Sequence, residues 1–551
     1  MFKFKNLYWV AVVATVFASS AAAQDPPSRV ARLNYTDGNV TMQPAGLQDW
    51  TPAEINRPFT SGDSVYCDAG SRAEFHLDSA VIRAGEFTSF GFLTLNDQTI
   101  QLSLTSGDLY VNVRDGYATQ SVEVDSPNAS ATLTRPGLYR FRITSNGTLT
   151  FVVVHQGEAA IAGGGQSFSL AEGNSAALSG SENLNFNINQ APPPDDFDLW
   201  AQSRDASEAQ TASQQAYLPA SVVGSEDMAG NGDWQQTGEY GPVWYPTAVP
   251  AGWAPYHYGH WAWIEPWGWT WVDDAPWGFA PFHYGRWVFI DGRWAWSPGP
   301  IIIVDHRPPI HRPVYAPALV VWFGGANVGW APLGYGEVYT PSYSCSPRYF
   351  NNVNVANTTV VRTVNITNVY NTVYVNKTVY NQTYSNMQAP NAVSAMPQNA
   401  FASGRPVAQA AVAMRPQQLQ MLQAAAVVAP PVAPTRQALM ASQAGSVPVA
   451  KPPAQIVARQ VVVQKTPAIA PAPFAVRQAY LQEHVGQPHD FATMHAQVAP
   501  SHPTSDLQAV GVRTPPQHVQ GQPVAPPPAK VPAAAPKEHK DKPAEDSKKK
   551  S

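Results

Sequence analysis

The sequence is poor in cysteine, in charge and in long apolar runs, and each shortage removes a class of protein. Its 551 residues contain two cysteines, Cys67 and Cys345. Two thiols are too few for a structural zinc site built from thiolates. In an exported chain they allow at most one disulfide, and because they fall in regions read below as separate, their pairing stays open. Charged residues make up 13% of the chain and the net charge is −5, a balance that argues against a nucleic-acid binder. Beyond the N-terminus no stretch approaches twenty consecutive apolar residues, so no later helix is expected to span a membrane. There is no G-x-S-x-G elbow and no P-loop. Gly163-Gly164-Gly165 reads as a turn, with no following helix to hold a phosphate.

What is present begins with MFKFKNLYWVAVVATVFASSAAAQ. Lys3 and Lys5 give a basic segment, Leu7 to Ala18 an apolar core, and Ala21-Ala22-Ala23 the small residues of a cleavage site. Residues 1–23 are therefore expected to be a signal peptide. The mature chain would then be periplasmic or secreted in a Gram-negative-type bacterium, with no transmembrane segment after cleavage. No cysteine stands at the cleavage site, so a lipid anchor is not expected.

Residues 30–188 read as a mainly β domain. Runs of period-two alternation recur, such as Thr99 to Thr105, Leu109 to Val113, Leu138 to Ile143 and Leu149 to Val154. Turn signals separate them at Asp37-Gly38, Ser106-Gly107, Asp115-Gly116, Asn146-Gly147 and Gln156-Gly157. The expected architecture is a β-sandwich, a jelly roll or a short β-solenoid. The phrases GDSVYCDAGSRAEFHL (62–77), TIQLSLTSGDLYVNV (99–113), VEVDSPNASATLTRPGLYRFRI (122–143), TLTFVVVHQGEAAI (148–161) and QSFSLAEGNSAAL (166–178) together resemble the extracytoplasmic FecR-type domain. FecR itself carries a cytoplasmic segment and a membrane span where this chain has a signal peptide. The resemblance thus implies the domain and not the regulation.

Residues 189–241 read as a linker, opening on Pro192-Pro193-Pro194-Asp195-Asp196 and including a stretch from Ala201 to Tyr217 that could form a helix. The two aspartates read as solvated linker residues.

The densest feature follows. GWAPYHYGHWAWIEPWGWTWVDD (252–274) holds six of the 17 tryptophans. GWAPYHYGHWAWI (252–264) repeats as GFAPFHYGRWVFI (278–290), and GWAPLGYGE (329–337) is a partial third copy. Repeats of this kind imply units that bury their apolar faces on one another. Asp291-Gly292 is a two-residue hairpin signal. It pairs Phe289 with Trp294 and Trp287 with Trp296. A loop Pro266-Trp267-Gly268 would pair Trp263 with Trp271 and place Trp261 and Trp269 on their face. Residues 242–345 are read as an aromatic hairpin-repeat module whose tryptophans replace an aliphatic core. The rival reading leaves Trp261, Trp263, Trp287 and Trp294 partly exposed, as a platform that stacks on sugar rings or a peptide. GWAPYHYGHW, WGWTWV, PWGFAPFHYGRW and VGWAPLGYGE also resemble an uncharacterised tryptophan- and proline-rich family of exported bacterial proteins, which implies a domain and no chemistry.

His257, His260, His283, His306 and His311 cluster here. His257 and His283 are repeat equivalents, which explains them without a metal, and no cofactor is expected. Asp273 and Asp274 are neighbours on a strand and point to opposite faces. Residues 350–386, rich in Asn, Val, Thr and Tyr, read as an extended tract. Residues 387–551 hold 25 of the 52 prolines and read as a disordered, partly polyproline-like tail that cannot sustain a packed core. Short helices are possible at Gln417 to Val428 and near Val476 to His484. The expected function is a non-enzymatic exported envelope interaction or scaffold protein, with an envelope protein or a cell-wall polysaccharide as partner. The alternatives are a polysaccharide- or peptidoglycan-binding module that uses exposed aromatics, and a FecR-like envelope signalling component.

Overall fold

The computed structural model describes residues 25–498, apart from 116–119, 215–216, 302–311, 360–364, 379, 381, 416–425 and 442–448, together with residues 507–509. The signal-peptide expectation, His306, His311, Gly116 and the charged C-terminus lie outside the described residues.

Seventeen strands between Ala31 and Gln190 build the N-terminal domain. They form two sheets over one core of Leu33, Phe59, Phe75, Phe90, Phe92 and Phe141, among others. Ring pairs such as Phe59–Phe75, at 5.0 Å, fill its centre edge-to-face. Thr99–Val113 is the common element. Its first half pairs with Ser89–Leu95 and, in parallel, with Ser121–Asp125. Its second half pairs with Ala80–Ala84 and Gly137–Ile143. Ser106-Gly107, read as a turn, is instead the point at which one continuous strand crosses between sheets. Gly107 adopts φ +82°, and a Cβ there would come within 2.4 Å of the Thr88 backbone, so only glycine allows the crossing.

The supposed linker is structured. Helix Asp196–Gln214 lies on the sandwich because its acids meet cations there. Arg140 bonds Asp195 at 3.1 Å and Asp198 at 2.8 Å, and Arg83 bonds Asp205 at 2.7 Å. Asp195 also accepts from the amides of Phe197 and Asp198. It starts the helix instead of floating in solvent.

The aromatic module is built from three hairpins: Gly259–Ile264 with Gly268–Asp273, Arg286–Ile290 with Arg293–Ser297, and Val320–Phe323 with Asn327–Pro332. The second has the expected register, with Trp287 opposite Trp296 and Phe289 opposite Trp294. In the first the loop falls one residue earlier, at 265–267. Trp261 therefore faces Trp271, and Trp263 faces Trp269. This shift changes partners and keeps all four indoles on one face, because the side-chain period is two. The two full repeats pack on each other at equivalent positions: Tyr256 and Phe282 have ring centroids 4.9 Å apart, and the Tyr256 hydroxyl donates to the Phe282 carbonyl at 2.8 Å.

Residues 350–386 do not run as an extended tract. Pro347–Asn357 is a helix, capped by Ser346, whose hydroxyl accepts from the Tyr349 amide, and opened by Pro347. Its asparagines act as buried brackets. Asn354 exchanges bonds with the Tyr339 backbone at 2.7 and 3.0 Å, and Asn357 ties Gly285 to Val314. Ile366–Tyr370 is also helical.

The C-terminal region also departs from expectation where it is described. Ser394–Pro397 and Ala426–Val427 add to the third hairpin as flanking strands. Phe474–Glu483 is the helix expected near Val476 to His484, whereas 416–425 falls outside the described residues. Phe401, Phe474, Leu481 and Met494 are buried in the module's core. Among the described residues these segments have no separate core. They place widely spaced apolar anchors in another's.

Candidate functional site

The hairpins converge on a cluster of indoles. Trp261 lies 4.5 Å from Trp322, 5.3 Å from Trp271 and 5.4 Å from Trp330. Trp263 packs on Trp269 at 5.5 Å and on His489 at 4.9 Å. Exposure decides between core and platform: Trp261 is 1%, Trp263 2%, Trp287 1% and Trp294 6% accessible. Trp261, Trp263 and Trp287 present no free ring face for stacking, so the platform reading fails for them, and Trp294 keeps only an edge at a cleft. For Trp261 and Trp263 the missing information was the cover supplied by Phe401, His489 and Phe491, far along the chain.

An aromatic cleft opens at the module's surface. Its volume is about 230 Å³, and Trp253, Phe289, Trp294, Arg293 and Asn391 border it along with prolines. The Asp291-Gly292 turn places Arg293 at the rim, exposed, with its guanidinium 4.5 Å from the centre of the Tyr245 ring. Phe289 and Trp294 meet edge-to-face at 5.3 Å. Asn391 is fixed by donating to the Gly252 carbonyl at 2.9 Å. Flat ring edges, a cation and an amide together suit a ligand with an apolar face and polar or anionic substituents. Of the sequence-predicted residues only Trp294 borders this cleft. Arg293 was legible as the residue after a hairpin turn, whereas Asn391 comes from the supposed tail and carried no signal.

The histidines disperse. His283 is buried, with Nδ1 2.8 Å from the Ala316 carbonyl, and burial pushes its pKa down to about 3. His257 lies 3.1 Å from the Ser394 hydroxyl, and His260 stands 3.5 Å from Glu54. Among the described residues no group of three or more His, Cys, Asp or Glu is placed to hold a metal. Asp273 is buried and accepts from the Trp271 indole at 3.0 Å, while Asp274 is exposed, so the pair does divide between two faces. Cys67 and Cys345 are both buried free thiols.

A buried charge cluster joins sandwich, helix and module. Arg32 bonds Glu226 and Asp227 and also the Asn56 side chain at 2.8 Å. His76 lies between Glu226, at 2.6 Å, and Glu74, at 2.9 Å, and Glu74 also takes Arg204 at 2.7 Å. Burial opposes the charge on His76, but Glu226 and Glu74 outweigh it and hold the imidazole up at about 9. Burial likewise opposes ionised Glu226, and His76 with Arg32 holds it down at about 2. No spacing in the sequence indicated this cluster, because its members are up to 195 residues apart.

No curated protein matches the chain. Two solved structures, both described as candidate anti-sigma factors from Parabacteroides distasonis, overlap part of it. One is 14% identical with a TM-score of 0.21, over 28% of this chain and 67% of the other. The second is 12% identical with a TM-score of 0.22, over 34% and 99%. Overlaps at these scores do not fix a common fold. Residues 225–337, which run from the Glu226 end of the charge cluster through all three aromatic hairpins, match a family of unknown function, DUF6600.

Proposed function

We propose that the protein is a non-enzymatic, exported envelope interaction or scaffold protein. The carrying observation is that the tryptophans are consumed as core, and that the module they build is tied to the sandwich through Arg32, His76 and Glu226. Aromatic mass spent on cohesion leaves recognition to surfaces and clefts. The basic, apolar and small-residue order of residues 1–23 supports export, and the FecR-type phrases of the sandwich support an extracytoplasmic setting. Cell fractionation with N-terminal sequencing tests this: the chain is expected in the periplasmic or secreted fraction beginning at Gln24. A cytoplasmic chain retaining Met1 overturns the reading.

The cleft at Trp253, Phe289 and Trp294 favours a second reading, binding of a cell-wall polysaccharide. Arg293 is exposed and lies outside the core, so Arg293→Ala is expected to leave the denaturant midpoint unchanged. It is also expected to weaken co-sedimentation with peptidoglycan sacculi. Equal sedimentation of both proteins removes this second reading.

A further inference from the structure

One face of the N-terminal sandwich is laid out as a row of polar side chains. Thr94, Gln101, Glu123 and Thr132 are direct cross-strand neighbours on four adjacent strands: Thr94 opposite Gln101, Gln101 opposite Glu123, and Glu123 opposite Thr132. Their neighbours Ile100, Leu102, Val122 and Val124 point into the core, so the row lies on the outer face. A polar row there would ordinarily face water. Gln101 and Glu123 are nonetheless fully buried and Thr94 nearly so.

The cover is residues 459–468 of the same chain, RQVVVQKTPA, which cross the four strands along the row. The contacts go chiefly to the main chain of this strap. The Glu123 carboxylate accepts from the consecutive amides of Gln464 and Lys465, both at 3.1 Å. Gln101 donates to the Lys465 carbonyl at 3.0 Å, and the Thr94 hydroxyl accepts from the Ala468 amide at 2.8 Å. The Ser126 carbonyl accepts from the Val462 amide at 2.9 Å. Two strap side chains join in by hydrogen bonds: Gln464 accepts from Thr132 at 2.9 Å, and Arg459 donates to the Thr105 and Ser145 carbonyls.

We infer that this row is a binding site for an extended peptide, and that residues 459–468 are its resident, exchangeable occupant. Side chains that read amides and carbonyls fix a backbone shape and leave much of the sequence free, as in other extended-peptide grooves. The strap lies on the outside of the sheet, held by these bonds and by the buried Val461, Val462 and Val463. Among the described residues it pairs with no strand of the sandwich, a pattern that opens locally before the core does. Pro452-Pro453 precedes it, Pro471 follows it, and Pro467 within it has no amide to donate. The ligand class is an extended peptide offering two consecutive amides, a carbonyl, and a further amide three residues on. The inference rests on the interaction-protein reading, but it is tested on purified protein, so failure of export leaves it standing and its own failure leaves export standing.

The test has two arms on the full chain. In hydrogen exchange of the unaltered protein, the amides of Val462, Gln464, Lys465 and Ala468 are expected to exchange at least about tenfold faster than those of Val111 and Phe141, through local opening. Exchange of both sets at one common rate makes the strap an integral element and overturns the proposal. The second arm uses a fluorescein-labelled peptide of residues 458–469 and anisotropy. The variant Arg459→Ala/Val462→Asp, with its own strap weakened, is expected to bind the peptide saturably and at least about tenfold more tightly than the unaltered protein. Adding Thr94→Val is expected to weaken binding by about 3–10-fold, the loss of one hydrogen bond. Absence of saturable binding by a strap variant with unaltered near-ultraviolet circular dichroism overturns the proposal. Should the strap variant fail to fold, the exchange arm decides alone.

Discussion

Phe401 belongs to a region whose composition reads as tail, yet it sits among four indoles. Its ring centroid lies 4.4 Å from Trp269, 5.8 Å from Trp322, 5.9 Å from Trp261 and 6.0 Å from Trp330, and it is fully buried. Truncation to alanine removes a large apolar side chain from a site walled by rigid rings that collapse poorly into a void. The cost should therefore reach the usual range for a buried phenylalanine, about 3–5 kcal/mol, and stay there because the indoles cannot repack. The assay is urea denaturation of the full chain, followed by near-ultraviolet circular dichroism, which reports tryptophan packing. Phe401→Leu should cost clearly less, because it keeps most of the volume. Pairing Phe401→Ala with Trp261→Ala should give a total that departs from the sum of the two by about 0.5–3 kcal/mol, since the rings touch. An unchanged midpoint for Phe401→Ala would show that residues beyond 387 do not complete this core, and would refute the reasoning.

The charge cluster predicts a two-sided pH profile. His76, held up at about 9 from 6.5, contributes its full stability below pH 6.5 and loses it as pH rises through 9. Glu226, held down at about 2 from 4.5, contributes above pH 4.5 and loses it as pH falls through 2. The thermal midpoint should thus be flat between about pH 4.5 and 6.5, and His76→Gln should remove the alkaline limb; an alkaline limb that survives the substitution counts against the assignment. At the second hairpin Gly292 adopts φ +79° with open space around it. Gly292→Ala should therefore cost about 1–2 kcal/mol from backbone strain alone, as read from the urea midpoint. Both thiols should resist an aromatic disulfide reagent in the native protein and react on denaturation, because burial pushes Cys67 well up and Cys345 to about 12; fast native reaction of either refutes the burial.

The sequence by itself determined whatever depends on neighbours along the chain. Alternation marked strands such as Leu149–Val154, and Asp291-Gly292 set the register of Trp287, Phe289, Trp294 and Trp296. The 26-residue repeat announced units that pack on each other, which Tyr256 and Phe282 do. Local signals also misled where a tertiary contact outweighed them. Ser106-Gly107 reads as a turn, but pairing on both sides keeps Thr99–Val113 a single strand. The Asn-rich tract reads as extended, but buried backbone groups around Tyr339, Gly285 and Val314 reward a helix that delivers Asn354 and Asn357. Only the tertiary structure decided the fate of the tryptophans. Whether an indole is core or platform depends on what covers it, and for Trp261 and Trp263 that cover includes Phe401, His489 and Phe491, more than a hundred residues away. The same holds for Arg32, His76 and Glu226, and for the polar row under residues 459–468. Charge pairing and burial depend on distance in space, and composition and periodicity report only distance along the chain.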